Sequence, residues 1–232
     1  AGLAGIVLLA AGIRQPTALV GLMVCAMVVT GIVHEWARGT RSRHRLRRGE
    51  SYPKAFVRLL AANRPRYGGY IVHIAIVMLT VGAIASSFYS VQRDFAMGPG
   101  ETRTLGKYTF TYIDTEHKVY RDRREDVALF QVASGDSSLG IMRPFRAIYP
   151  SFRIAATRGA IHSTPIEDFY IVPSEFGEDG QAVFRVLINP MVWWMWASGP
   201  ILILGMLVAL SPQRQPSPVS LWVPSGARAA GD

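Results

Sequence analysis

The run GGYIVHIAIVMLTVGAIASSFYS, residues 68–90, decides the fold. It holds no Asp, Glu, Lys or Arg, and crossing a bilayer takes roughly 20 predominantly apolar residues. Two further runs qualify by the same measure, TALVGLMVCAMVVTGIVHEW (17–36) and MVWWMWASGPILILGMLVAL (191–210). The opening segment 1–13 is apolar but too short to span. Without a basic leader it reads as the end of a spanning helix that begins upstream. The chain therefore reads as an integral membrane protein, part of a larger polytopic one.

Charge orders these spans. Of the net +9, the loop 37–67 accounts for the whole: ten Lys or Arg between Arg38 and Arg66 face one acid, Glu50. Short basic loops stay on the cytoplasmic side. That places the loop inside, segment 91–189 outside in a periplasm, and tail 211–232 inside again. Clustered arginine is also the footprint of phosphate binding. Between two spans it reads instead as a topology signal with some affinity for anionic lipid, and no nucleic-acid partner is expected. The tail, rich in Pro, Ser, Gly and Ala, is expected to be disordered.

Segment 91–189 is nearly neutral and is punctuated as strands. TRTLGKYTFTYI (102–113) alternates around Leu105, Tyr108, Phe110 and Tyr112, the period-2 pattern of a half-buried strand. DVALFQVAS (126–134), LGIMRPFRAIY (139–149), IEDFYIVPSEF (166–176) and AVFRVLI (182–188) follow, separated by turn clusters. The fold expected is a set of α-helical spans (17–36, 68–90, 190–210) flanking an external antiparallel β-rich domain, sandwich or barrel-like.

His73 is the first candidate for chemistry. Ionisable groups inside a span are costly and mark functional sites by default. Gly69 lies one turn before it, Ile76, Val77 and Thr80 follow on the same face, and Arg66 precedes it by two turns. A neutral imidazole suits haem iron, a glycine beside it admits a large planar group, and an arginine suits a propionate. A structural interhelical hydrogen bond is the alternative. His34 lacks the partner that H-E-x-x-H requires. His44 reads as one more loop cation, His117 as a turn residue and His162 as lying between strands. Trp193, Trp194 and Trp196 read either as an interfacial aromatic belt or as a stacking surface. The acidic pairs Glu125–Asp126 and Glu167–Asp168 read as solvated. Cys25 is alone, and no C-x-x-C-H occurs, so the chain is not itself a c-type cytochrome.

YGGYIVHIAI (67–76), YPSFRIAATRGAIHSTPIEDFYIV (149–172) and NPMVWWMWASGPILILG (189–205), in that order, resemble the C-terminal region of the CcmF family. Members are the large membrane subunits of cytochrome c haem lyases. The resemblance implies a b-type haem held between transmembrane histidines, with His73 as one axial ligand to the iron and Gly69 and Tyr70 in the matching stretch. It implies a haem chaperone, apocytochrome c and thiol-reducing maturation subunits as partners, in a bacterial inner membrane. The second axial histidine and the family's tryptophan-rich haem-handling loop would lie upstream of Ala1, so this chain would supply half the site. The other class that fits is a non-catalytic membrane-anchored β domain acting as an envelope docking module.

Overall fold

A computed structural model describes residues 12, 15–47, 49–177 and 180–212. Apart from Gly12, the expected helix end at 1–13 lies outside them, as does nearly all of the tail. Four helices occur among the described residues: α1 (Pro16–Leu46), α2 (Tyr52–Ala62), α3 (Arg64–Phe88) and α4 (Val192–Leu210). Three of them, α1, α3 and α4, are long and apolar enough to cross a membrane. Proline stands in the first turn of α1, α2 and α3, where its missing N–H costs nothing and its fixed φ suits the helix. Arg43, His44 and Arg45 close α1, where cations meet the negative end of the helix dipole.

Segment 37–67 is more structured than an unbroken loop. Helix α1 continues through it to Leu46, and α2 fills much of the rest. Glu50 holds the connection together. Its buried carboxylate accepts from Arg43 Nε at 3.1 Å and from Arg58. His44 Nδ1 donates to the Glu50 carbonyl at 2.7 Å, and the ring stacks on Tyr52 with centroids 4.0 Å apart. Burial opposes ionisation of Glu50, but the hydrogen bonds from the two arginines outweigh it and hold the carboxyl below its usual range.

Helices α3 and α4 run antiparallel and pack through small residues. Gly68, Ala75 and Gly82 on α3, and Ser198 and Gly205 on α4, are buried at seven-residue intervals. The heptad spacing keeps one seam facing the partner helix. Within lipid, such small residues let backbones approach closely enough for dispersion to hold the pair. A Cβ at Gly205 would come within 2.8 Å of Val72 N, and one at Gly82 within 2.9 Å of Met191 O. Glycine is required there by proximity.

Among the described residues ten strands follow α3: β1 (Val91–Met97), β2 (Thr102–Leu105), β3 (Tyr108–Val119), β4 (Arg124–Ser134), β5 (Ser137–Met142), β6 (Phe145–Tyr149), β7 (Ile154–Arg158), β8 (Ala160–Ser163), β9 (Glu167–Phe176) and β10 (Ala182–Pro190). They form two antiparallel sheets. One has the order β1-β10-β9-β8; the other runs β2-β3-β4-β6-β7, with β5 pairing β4. The core between them is aromatic. Tyr108 stacks on Phe169 at 4.4 Å, and Phe130 meets Phe184 edge-on at 4.7 Å. Membrane helices thus flank an antiparallel β-sandwich.

One of the five expected strands is in fact a hairpin, and another is two strands that pair with β4 one after the other. The stretch 102–113 turns at Gly106–Lys107, Gly106 taking φ +59°, a left-handed conformation typical of two-residue hairpin loops. The stretch 139–149 breaks at Arg143–Pro144, because proline cannot donate to the ladder. His117 lies in β3 rather than in a turn, and His162 in β8 rather than between strands. Nor are the acidic pairs all solvated: Glu125, Asp126 and Asp168 are buried. Each has neighbours from adjacent strands or turns. Asp126 accepts from His117 Nδ1 at 2.7 Å, Glu125 from Arg123 Nε, and Asp168 from the hydroxyls of Ser163 and Tyr170. Buried carboxylates are stable only when partnered in this way.

Candidate functional site

Helix α3 begins at Arg64, so His73 lies in its third turn. The seam of Gly68, Ala75 and Gly82 turns one side of α3 toward α4. His73 is on another side and is exposed, as is Ile76 at 45%. A Cβ added at Gly69 would meet nothing within 4 Å. Among the described residues, the face of α3 that carries Gly69, His73 and Ile76 is therefore open.

His73 Nδ1 lies 2.7 Å from the carbonyl oxygen of Gly69, one turn earlier. A carbonyl only accepts, so Nδ1 carries the proton. In the neutral ring that leaves the Nε2 lone pair available. Metal-ligating histidines are held this way, the second nitrogen anchored and the ring direction set. An anchored donor nitrogen beside an uncovered glycine fits an axial ligand with a planar group approaching it.

Arg66 and Tyr70 form a separate cluster. Arg66 Nε donates to Tyr70 Oη at 2.9 Å, and Arg66 Nη2 meets Glu35 Oε2 on α1 at 2.7 Å. The structure thus pairs Arg66 with a carboxylate. Glu35 escaped the sequence reading. Its signal is an acid at the end of an otherwise apolar run.

The tryptophans divide. Trp193 and Trp196 are 44% and 78% exposed. Trp194 Nε1 instead donates to Pro165 O in the β8–β9 loop at 3.0 Å, while Met191 N donates to Ile166 O at 2.7 Å. Trp194 therefore fastens α4 to the sandwich.

The family model described as CcmF C-terminal beta-sandwich matches residues 88–190, from the last residue of α3 to the last of β10. Among known proteins, the cytochrome c-type biogenesis protein CcmF of Pseudomonas aeruginosa is 28% identical over 151 residues, covering 65% of this chain and 23% of that protein. CcmF of Escherichia coli is 28% identical over 154 residues, covering 66% of this chain and 24% of that protein. NrfE of Haemophilus influenzae is 23% identical over 145 residues, covering 62% and 23%. The chain thus spans about a quarter of the length of the curated relatives it matches. A solved structure, Cytochrome c Heme Lyase CcmF, has the same fold, with a TM-score of 0.57 at 21% identity over 79% of this chain and 34% of that one.

Proposed function

We propose that this chain, built around the C-terminal β-sandwich of the CcmF family, is the C-terminal part of a cytochrome c haem lyase and supplies one axial ligand, His73, to a b-type haem. The observation that carries the reading is the His73–Gly69 hydrogen bond, which leaves Nε2 as a free donor on an open helix face. A haem held there would supply the electron that keeps the iron of the transferred haem ferrous while the apocytochrome thioethers form.

The chain's own residues do the positioning. Gly69 fixes the imidazole and leaves room beside it. Arg66, with Glu35 and Tyr70, ties α1 to α3 at the end of the helix nearest the basic connection. With that connection in the cytoplasm, the sandwich lies in the periplasm of a bacterium. There it positions the haem chaperone, the apocytochrome and the thiol-reducing subunits. The trio Trp193, Trp194 and Trp196 marks the periplasmic interface of the inner membrane.

The test uses the intact protein in detergent, with oxidised and dithionite-reduced spectra for wild type and His73→Ala. The reading expects a b-type spectrum in the wild type and its loss in the variant at equal yield. An unchanged spectrum would remove His73 from the site.

A further inference from the structure

We propose that the groove between α1 and α2 is a binding site for one phospholipid with an anionic headgroup. The groove has a volume of about 700 Å³ and is lined by Val33, Trp36, Thr40, Arg41, Tyr52 and Phe56, among others. That is the size of an ordinary small-ligand pocket. Trp36 and Phe56 meet edge to face, with centroids 5.3 Å apart, and join the two helices across it.

Its lining changes character along α1. Val33 belongs to the apolar span and is 55% exposed. Thr40 and Arg41 stand about 12 Å further along the helix, at 1.5 Å per residue, where the basic stretch begins. An acyl chain suits the first end and a phosphate the second. A nucleotide or free phosphate would leave the apolar end unused, and an apolar helix would leave Arg41 unanswered.

Two polar features lack a counterpart among the described residues. Trp36 Nε1 is buried and has no hydrogen-bond partner among the described residues. A buried N–H is rarely left so, and a phosphate or ester oxygen is an acceptor of the right kind. Arg38, Arg41 and Arg45, which line an adjoining groove on α1 with His34, form no ion pair among the described residues. The one acid of this stretch, Glu50, is already taken by Arg43 and Arg58. Basic pockets beside spanning helices at the cytoplasmic side are where acidic headgroups bind. The inference rests on α1 crossing the membrane and is independent of haem.

The test takes the intact protein, stripped of lipid in detergent and titrated with phosphatidylglycerol or phosphatidylcholine of the same chains, bound lipid being counted by native mass spectrometry. One phosphatidylglycerol is expected to bind in preference to phosphatidylcholine. Arg41→Gln and Trp36→Phe are each expected to weaken it about fivefold, the scale of one lipid-facing cation for the first and of one hydrogen bond for the second. Arg47→Gln, on an exposed arginine outside the groove, is expected to change nothing. Equal binding of the two lipids overturns the proposal. So does an Arg41→Gln effect no larger than that of Arg47→Gln, which would mean diffuse charge alone. A photo-crosslinker placed at Tyr52 that captures a peptide of the same protein instead of lipid would give the groove to another segment and equally overturn it.

Discussion

Trp194 reaches from the first turn of α4 to the carbonyl of Pro165, and its indole N–H donates across 3.0 Å. The residues are 29 apart in sequence, and they bind a membrane helix to a loop of the sandwich. Trp194→Phe keeps the ring and loses the donor. A single neutral hydrogen bond contributes about 0.5–1.5 kcal/mol, so the whole protein is expected to lose little stability. Hydrogen exchange is expected to rise selectively at residues 164–167.

Adjacent glycines on α3 make opposite predictions. A Cβ at Gly68 collides with the backbone of Ala209, whereas one at Gly69 meets nothing within 4 Å among the described residues. Gly68→Ala is expected to destabilise the helix pair by about 1–3 kcal/mol, the usual cost of overpacking. Gly69→Ala is expected to leave folding within about 0.5 kcal/mol of wild type while lowering haem content, because it fills the space beside His73. Thermal unfolding in detergent, paired with haem absorbance, reads both.

Within the sandwich, Phe130 is fully buried and Phe152 is 73% exposed. Phe130→Ala is expected to cost about 3–5 kcal/mol through lost burial and the cavity left behind. Phe152→Ala is expected to stay within about 0.5 kcal/mol. Denaturant titration separates them.

Acid is expected to loosen the α1–α2 connection. Hydrogen bonds from Arg43 and Arg58 hold the Glu50 carboxyl below its ordinary value of 4.5 despite burial. A depressed folded value means the stabilisation is complete above the unfolded one and is lost as pH falls through the lowered one. A spin label at Lys54 is expected to be immobile at neutral pH and to gain mobility on the acid side of 4.5. In Glu50→Gln it is expected to be mobile at neutral pH as well.

His73 stands out in the sequence because an ionisable group inside an apolar run is costly. The strands built on Tyr108, Phe130 and Phe184 are legible for a similar reason, since one face is buried and period-2 alternation shows. Strand β7 shows no alternation, because all five of its residues are exposed. Strand β1 sits at a sheet edge and carries Arg93 and Asp94 on exposed positions, so it too lacks a period. The burial of Asp126 and Asp168 is invisible locally, because it depends on which strand comes alongside. The Arg66–Glu35 pair spans 31 residues and becomes readable only once α1 and α3 lie antiparallel.

Two residues, Tyr89 and Ser90, separate α3 from β1, and Met191 alone separates β10 from α4. Because β1 and β10 pair directly, with Val91 opposite Ile188, the helix pair continues into the strand pair with almost no slack. The sandwich is a bracket welded to its post. It cannot sweep the space above the membrane in search of a partner, so whatever it receives must be brought to a fixed height and bearing. A tilt of α3 and α4 by a few degrees would swing its far edge as one piece.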